Sequence, residues 1–185
     1  MIKKINEFIK SIKSSRGFSL IEISIAILII GIILSFGVKG YKMIESANLT
    51  SLVNQINQYK IAVQLFEESE GRIPGMENGN FSEENFWNDL IKNDFITAEL
   101  SNNRPLTKVG GVISAHYDDS GIIFKVHNLN ECGILTPKQA ELIDKKIDTG
   151  MPLIGRVKAY GDNCVKDGKY NKSCDDKCCF IEIKI

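Results

Sequence analysis

The helical pattern that runs from Phe18 to Glu70 constrains this 185-residue chain more than any other feature. Its first part, Phe18 to Val38, reads FSLIEISIAILIIGIILSFGV, 21 residues with a single charge, Glu22. A helix of that length rises about 30 Å, the thickness of a bilayer's hydrocarbon core, so one membrane span over 18–38 is expected. Beyond the span the helical register continues. Leu49, Leu52, Val53, Ile56, Tyr59, Val63 and Phe66 share an arc of about 140° at about 100° per residue, which is an amphipathic stripe for packing on a domain, with Lys60 intruding on it. Turn chemistry at Gly71-Arg72-Ile73-Pro74-Gly75 ends the pattern. Phe18 to Glu70 as one helix is about 80 Å long, more than a globule of this size can bury. Half of it must lie in a membrane or against copies of itself, and half must cover a head.

Charge is distributed to match. The whole chain balances 23 basic against 23 acidic residues, so charge predicts no nucleic-acid contact. Residues 1–16, however, carry Lys3, Lys4, Lys10, Lys13 and Arg16 against the single acid Glu7. A basic segment before a span keeps the N-terminus in the cytoplasm and sends everything after Lys39 outside. The apolar stretch is too long for a standard secretory signal, and no Ala-x-Ala-like site closes it. Glu22 is the anomaly, because a carboxylate in a membrane helix costs about 2–3 kcal/mol unless it pairs or reaches the interface. It either snorkels to the headgroup level or has a partner.

The string Arg16-Gly17-Phe18-Ser19-Leu20-Ile21-Glu22, between a basic leader and an apolar helix, resembles the processing site of type IV prepilins and type II secretion pseudopilins. Ala26 and the Gly31-Ile32-Ile33-Leu34 run add to the likeness, whereas Lys39 stands where many members have a helix-loosening proline. The resemblance implies that a membrane prepilin peptidase cuts between Gly17 and Phe18 and methylates the new N-terminus. Gly17 has no side chain to obstruct a peptidase cleft. The cut creates an ammonium at Phe18, one helical turn from Glu22, and the resemblance implies that the amine of a neighbouring subunit neutralises this carboxylate during assembly. It further implies a removed leader over 1–17, a long helix over 18–70 and an exported pilin-like head over 71–185. The implied partners are other pilin or pseudopilin subunits, the prepilin peptidase, an inner-membrane assembly platform and the membrane itself. The protein would then reside in a bacterial inner membrane and later in a periplasmic or cell-surface filament.

The head reads as α+β: the amphipathic half of the long helix packed on a small antiparallel sheet with short extra helices. Ser82 with Glu83 and Glu84 starts a helix whose apolar face is Phe86, Trp87, Leu90 and Ile91, with Trp87 in the core. The runs VISAHY and IIFKVHNL around Asp118-Asp119-Ser120-Gly121 predict a β-hairpin. Thr136-Pro137-Lys138-Gln139 combines an N-cap, a first-turn proline and a capping-box glutamine, and starts a helix expected to reach Asp148. Ile154 to Tyr160 and Cys179 to Ile185 alternate as strands. The stretches from Phe66 to Gly75, from Phe86 to Ile96 and from Leu135 to Gly150 also resemble segments of pilin-like proteins.

Cys132, Cys164, Cys174, Cys178 and Cys179 all follow the span, in a compartment where disulfides are expected. Four of them cluster near the C-terminus, resembling the cysteine-stapled terminal loop of many pilins. If Cys178 and Cys179 begin a strand they point to opposite faces and take different partners, but spacing does not fix the pairing. Zinc is disfavoured because paired Cys-x2-Cys knuckles are absent. The acidic loop from Asp162 to Gly168 invites calcium, a site known in major pseudopilins, yet Lys166 occupies a ligand position of the EF-hand pattern. Asp144 and Asp148, spaced i and i+4, read as solvent-facing residues that support the helix end rather than as a metal pair. No metal or cofactor is therefore assigned.

Nothing points to catalysis. His116 and His127 are the only histidines, each in a predicted strand at a surface or interstrand position, and no nucleophile elbow, phosphate loop or HExxH motif is present. Two classes of function remain. One is a subunit processed after Gly17 and polymerised through its N-terminal helix; the other is an uncleaved single-span protein whose tethered head binds a partner.

Overall fold

The computed structural model describes residues 19–130 and 133–185. Gly17, Phe18 and Cys132 lie outside them. One helix, α1, spans Leu20–Glu70, and Gly71 at φ 66° follows it in the left-handed conformation that suits a helix end. The chain divides into two compact units, Met1–Ile44 and Glu45–Ile185. In the first, α1 is a candidate membrane span of mean hydropathy 2.6 with none of its window buried.

In the second unit every residue of the expected stripe is buried: Leu49, Leu52, Val53, Ile56, Tyr59, Val63 and Phe66. They cover a four-stranded antiparallel sheet in the order β5-β6-β10-β7, formed by β5 (Val112–Asp118), β6 (Gly121–His127), β7 (Val157–Tyr160) and β10 (Phe180–Lys184). Period-2 alternation turns Ile122, Phe124, Val126, Val157, Ala159, Ile181 and Ile183 into the core. The other face carries the cross-strand row Lys125, Glu182 and Lys158. The hairpin forms as expected, with Asp118 paired to Gly121 across a two-residue turn.

Helix α2 (Glu83–Lys92) starts at the predicted Ser82, whose Oγ accepts the Asn85 amide at 3.4 Å. It delivers Phe86 and Trp87 to an aromatic centre. Trp87 stacks on Phe124 at 5.7 Å and meets Tyr59 of α1 edge-on at 5.3 Å, so the helix, α2 and the sheet share one core. Helix α3 (Pro137–Ile147) has the predicted capping box, completed by the Thr136 amide donating to Gln139 Oε1 at 2.9 Å. The Gln139 side-chain amide also donates to Glu45, and Lys146 Nζ donates to Thr50 Oγ1 at 2.6 Å, which clips α3 to α1 within this unit.

The sequence reading missed three small ribbons: β1 (Met76–Glu77) with β2 (Asn80–Phe81), β3 (Leu100–Ser101) with β4 (Arg104–Pro105), and β8 (Val165–Lys166) with β9 (Lys169–Tyr170). Two-residue strands are too short for any periodicity to show. The strand expected from Ile154 begins instead at Val157, because Met151 to Arg156 turn at the surface and leave Ile154 exposed.

Candidate assembly site

The first turn of α1 is capped by its own residues. Ser19 Oγ accepts the Ile21 amide at 3.2 Å, and Glu22 Oε2 accepts the Ser19 amide at 2.8 Å. Ser19 and Glu22 thus form a variant of the capping box, in which the carboxylate also sits at the positive end of the helix dipole. Sequence reasoning weighed Glu22 only as a snorkelling or intersubunit group; the Ser-x-x-Glu spacing was the signal for this third role. Among the described residues no other hydrogen bond reaches Glu22. Ser24 and Ser35 satisfy their hydroxyls on the carbonyls of Leu20 and Gly31, at 2.6 and 2.8 Å. The surface around these turns is aliphatic. Leu20, Ile21, Ile23, Ile25, Ile27 and Leu28 are all exposed, a surface that requires lipid or another helix to cover it.

At the other end of the chain, Cys164 and Cys179 are both buried and joined by a disulfide, with their Cα atoms 5.2 Å apart. This ties the segment before β8 to the start of the central strand β10. Cys174 and Cys178 are thiols whose Sγ atoms lie 3.7 Å apart. Of the neighbouring pair, Cys179 is in the disulfide and Cys178, which lies outside any strand, is a thiol near Cys174. Two glycines make room here. A Cβ on Gly161, at φ 124°, would come within 1.9 Å of the Cys178 carbonyl oxygen, and one on Gly133 within 2.2 Å of its carbon. Cys132, the fifth cysteine, lies outside the described residues.

Asp144 corrects the sequence reading. It is buried rather than facing solvent, with Oδ2 accepting the Tyr170 hydroxyl at 2.9 Å and Oδ1 accepting the Gly150 amide at 3.0 Å. The amphipathic pattern of α3 did not show this because Tyr170, which covers Asp144, comes from the distant β9. Burial pushes the Asp144 carboxyl above the ordinary carboxylate range despite these bonds. The same burial, with Asp144 beside it, raises the Tyr170 hydroxyl. Asp148 caps the end of α3 and also accepts the Arg156 amide.

The candidate calcium loop is a hairpin. Asp167 at φ 52° and Gly168 at φ 72° form the two-residue turn between β8 and β9. Among the described residues no group of three His, Cys, Asp or Glu side chains is arranged to hold a metal ion. His127 is buried, with Nε2 2.8 Å from Ser114 Oγ, and serves as an interstrand polar contact in the sheet. Near His116, the Ser120 hydroxyl donates to Asp118 at 2.5 Å, a local bond that closes the turn.

The prokaryotic N-terminal methylation motif matches residues 12–38, the segment that holds Gly17, Phe18, the Glu22 cap and the unburied helix. The match fits the N-terminus of a type IV prepilin or pseudopilin. The solved structure of the major type IV pilin PilA1 from Clostridium difficile is similar to this chain at 16% identity and a TM-score of 0.45, over 76% of this chain and 95% of that one. No curated protein matches. The prepilin N-terminus and the apolar half of α1 fit a membrane-anchored, pilin-like chain that ends in a surface filament. Its Glu22 lies inside the matched segment, and so does every exposed aliphatic residue from Leu20 to Leu34.

Proposed function

We propose that the protein is a structural subunit of a type IV pilus or type II secretion pseudopilus, cleaved after Gly17, N-methylated at Phe18 and polymerised through α1. The observation that carries this reading is the methylation motif over residues 12–38 lying on a helix whose apolar side chains are unburied. Residues 1–17 are then the leader removed by a prepilin peptidase, 18–38 the span, and 71–185 the exported part of the head that completes the fold on 39–70. An inner-membrane platform extracts the subunit from the bilayer, where it waits with its head outside the cytoplasm. In the filament Glu22 meets the Phe18 amine of an adjacent copy. The carboxylate matters there chiefly because an unpaired charge in apolar surroundings is costly. Its bond to the Ser19 amide holds the carboxylate at the tip of the helix, where an incoming amine can reach it.

The test is the N-terminus and intact mass of the protein recovered from membranes of its own host. The expected chain begins at methylated Phe18. A chain that still begins at Met1, in cells whose prepilin peptidase processes another substrate, would make this an uncleaved, tethered single-span protein instead.

A further inference from the structure

From the thiol geometry in the C-terminal loop we infer that Cys174 and Cys178 are a second disulfide site, one that closes on export and subdivides the loop already bounded by Cys164–Cys179. The inference rests on the export of the head proposed above. The two Sγ atoms are 3.7 Å apart, and a bond of about 2 Å requires them to approach by less than 2 Å. The loop can supply that movement. Both side chains are only part-buried, and residues 171–178 belong to no strand or helix. Their backbone is held by single turns, the Cys174 amide on the Asn171 carbonyl at 3.1 Å and the Cys178 amide on the Asp176 carbonyl at 3.0 Å.

Two contacts hold the loop, one beside the pair at Cys179 and one between its members at Asp175. Cys179 is buried in its own disulfide and bridged to Leu135, while Asp175 is paired with Lys138 of α3 at 2.7 Å. The two thiols thus stay close without being bonded. Burial and the adjoining Cys174 thiol raise Cys178 to about 11, so closure is faster in mildly alkaline medium, where more of its thiolate is present.

The oxidant is a disulfide, either of a thiol oxidoreductase or of glutathione. One thiolate of the pair attacks it and releases one of its sulfurs as a thiol. The other cysteine then attacks the mixed disulfide and releases the second. Two protein thiols become one S–S bond, and the oxidant disulfide becomes two thiols that carry off the two protons. Four of the five cysteines are then assigned.

Tryptic digestion of the alkylated, unreduced full-length protein from host membranes reads the pairing directly. Cleavage after Lys158, Lys166, Lys172, Lys177 and Lys184 puts Cys164, Cys174 and the Cys178–Cys179 pair on three separate peptides. The expected product is a single cluster of all three; in Cys178→Ser it becomes the 159–166 peptide joined to the 178–184 peptide with Cys174 alkylated, whereas a 173–177 peptide still joined there with Cys164 alkylated overturns the pairing. If Cys174 and Cys178 are found alkylated, the isolated protein is treated with glutathione disulfide. Closure then upholds the site and places the failure with export. A pair that stays open, or a cluster joining either thiol to the 126–138 peptide that contains Cys132, overturns it.

Discussion

Replacing Asp144 separates the two effects of a buried carboxylate. In Asp144→Ala the Tyr170 hydroxyl and the Gly150 amide both lose their acceptor. A buried donor left without a partner costs about 1–3 kcal/mol. Tyr170 is 6% exposed and bears the full cost, whereas the half-buried Gly150 amide recovers part of its loss from water. The expected destabilisation is about 2–4 kcal/mol, or roughly 10 °C in Tm for a folded unit spanning Glu45–Ile185.

Asp144→Asn keeps the shape: its Oδ1 can accept the Gly150 amide and its Nδ2 can donate to the Tyr170 oxygen, which leaves only the Tyr170 proton without its acceptor, so its loss should be smaller than that of Asp144→Ala. The pH dependence has a definite sign. Burial raises the Asp144 pKa in the folded state, with Asp148 adding to the rise and the bonds from Gly150, Tyr170 and Thr149 opposing it. The folded chain therefore binds this proton more tightly than the unfolded chain. The resulting stabilisation is full below the unfolded value near 3.8 and is lost as the pH rises through the folded-state value. Only the ionisable residue shows this loss, so the Asn variant should have a flatter profile over that window.

Trp87 is the single tryptophan and is fully buried, so its fluorescence in detergent follows unfolding of the head without interference from the apolar helix. If Asp144→Ala melts within about 2 °C of the parent at pH 7, or if Asp144→Asn keeps the parent's acid-side slope, the reasoning is refuted.

Three further outcomes are expected. Cys164→Ser opens a link across a sequence separation of 15 and should cost about 3 kcal/mol in thermal melts; an unchanged Tm would show that neighbouring contacts alone hold β10. Gly161→Ala adds a Cβ within 1.9 Å of the Cys178 carbonyl oxygen at a φ of 124°, so the Tm should fall by more than 10 °C or the head should fail to fold, with parent-like melting as the contrary result. Glu22→Ala should abolish incorporation into filaments, scored by shearing and immunoblot, and leave the Trp87 melt unchanged. Normal incorporation would remove the charge-pairing role.

Much of the architecture was legible because it repeats along the chain. The stripe from Leu49 to Phe66, the caps at Ser82 and Thr136 and the Asp118–Gly121 hairpin each rest on interactions within a few residues, and each appears where local chemistry puts it. The candidate assembly site was legible in part. The placement of Glu22 in an apolar helix is a matter of sequence, but its bond to the Ser19 amide was overlooked although the Ser-x-x-Glu spacing was in view. The ribbons were not legible, since two residues make no period.

The amino-acid sequence by itself determined the division of labour: an apolar half-helix that cannot be buried in a head of this size, and an amphipathic half that must be. Those are consequences of composition and of the 3.6-residue period, which act locally. Only the tertiary structure decided which cysteines meet and which carboxylate is buried. Cys164 reaches Cys179, and Tyr170 covers Asp144, because β8 and β9 fold back over α3 and the start of β10. Residues 15 and 26 positions apart are brought together by how separate elements pack, a property that no local pattern encodes.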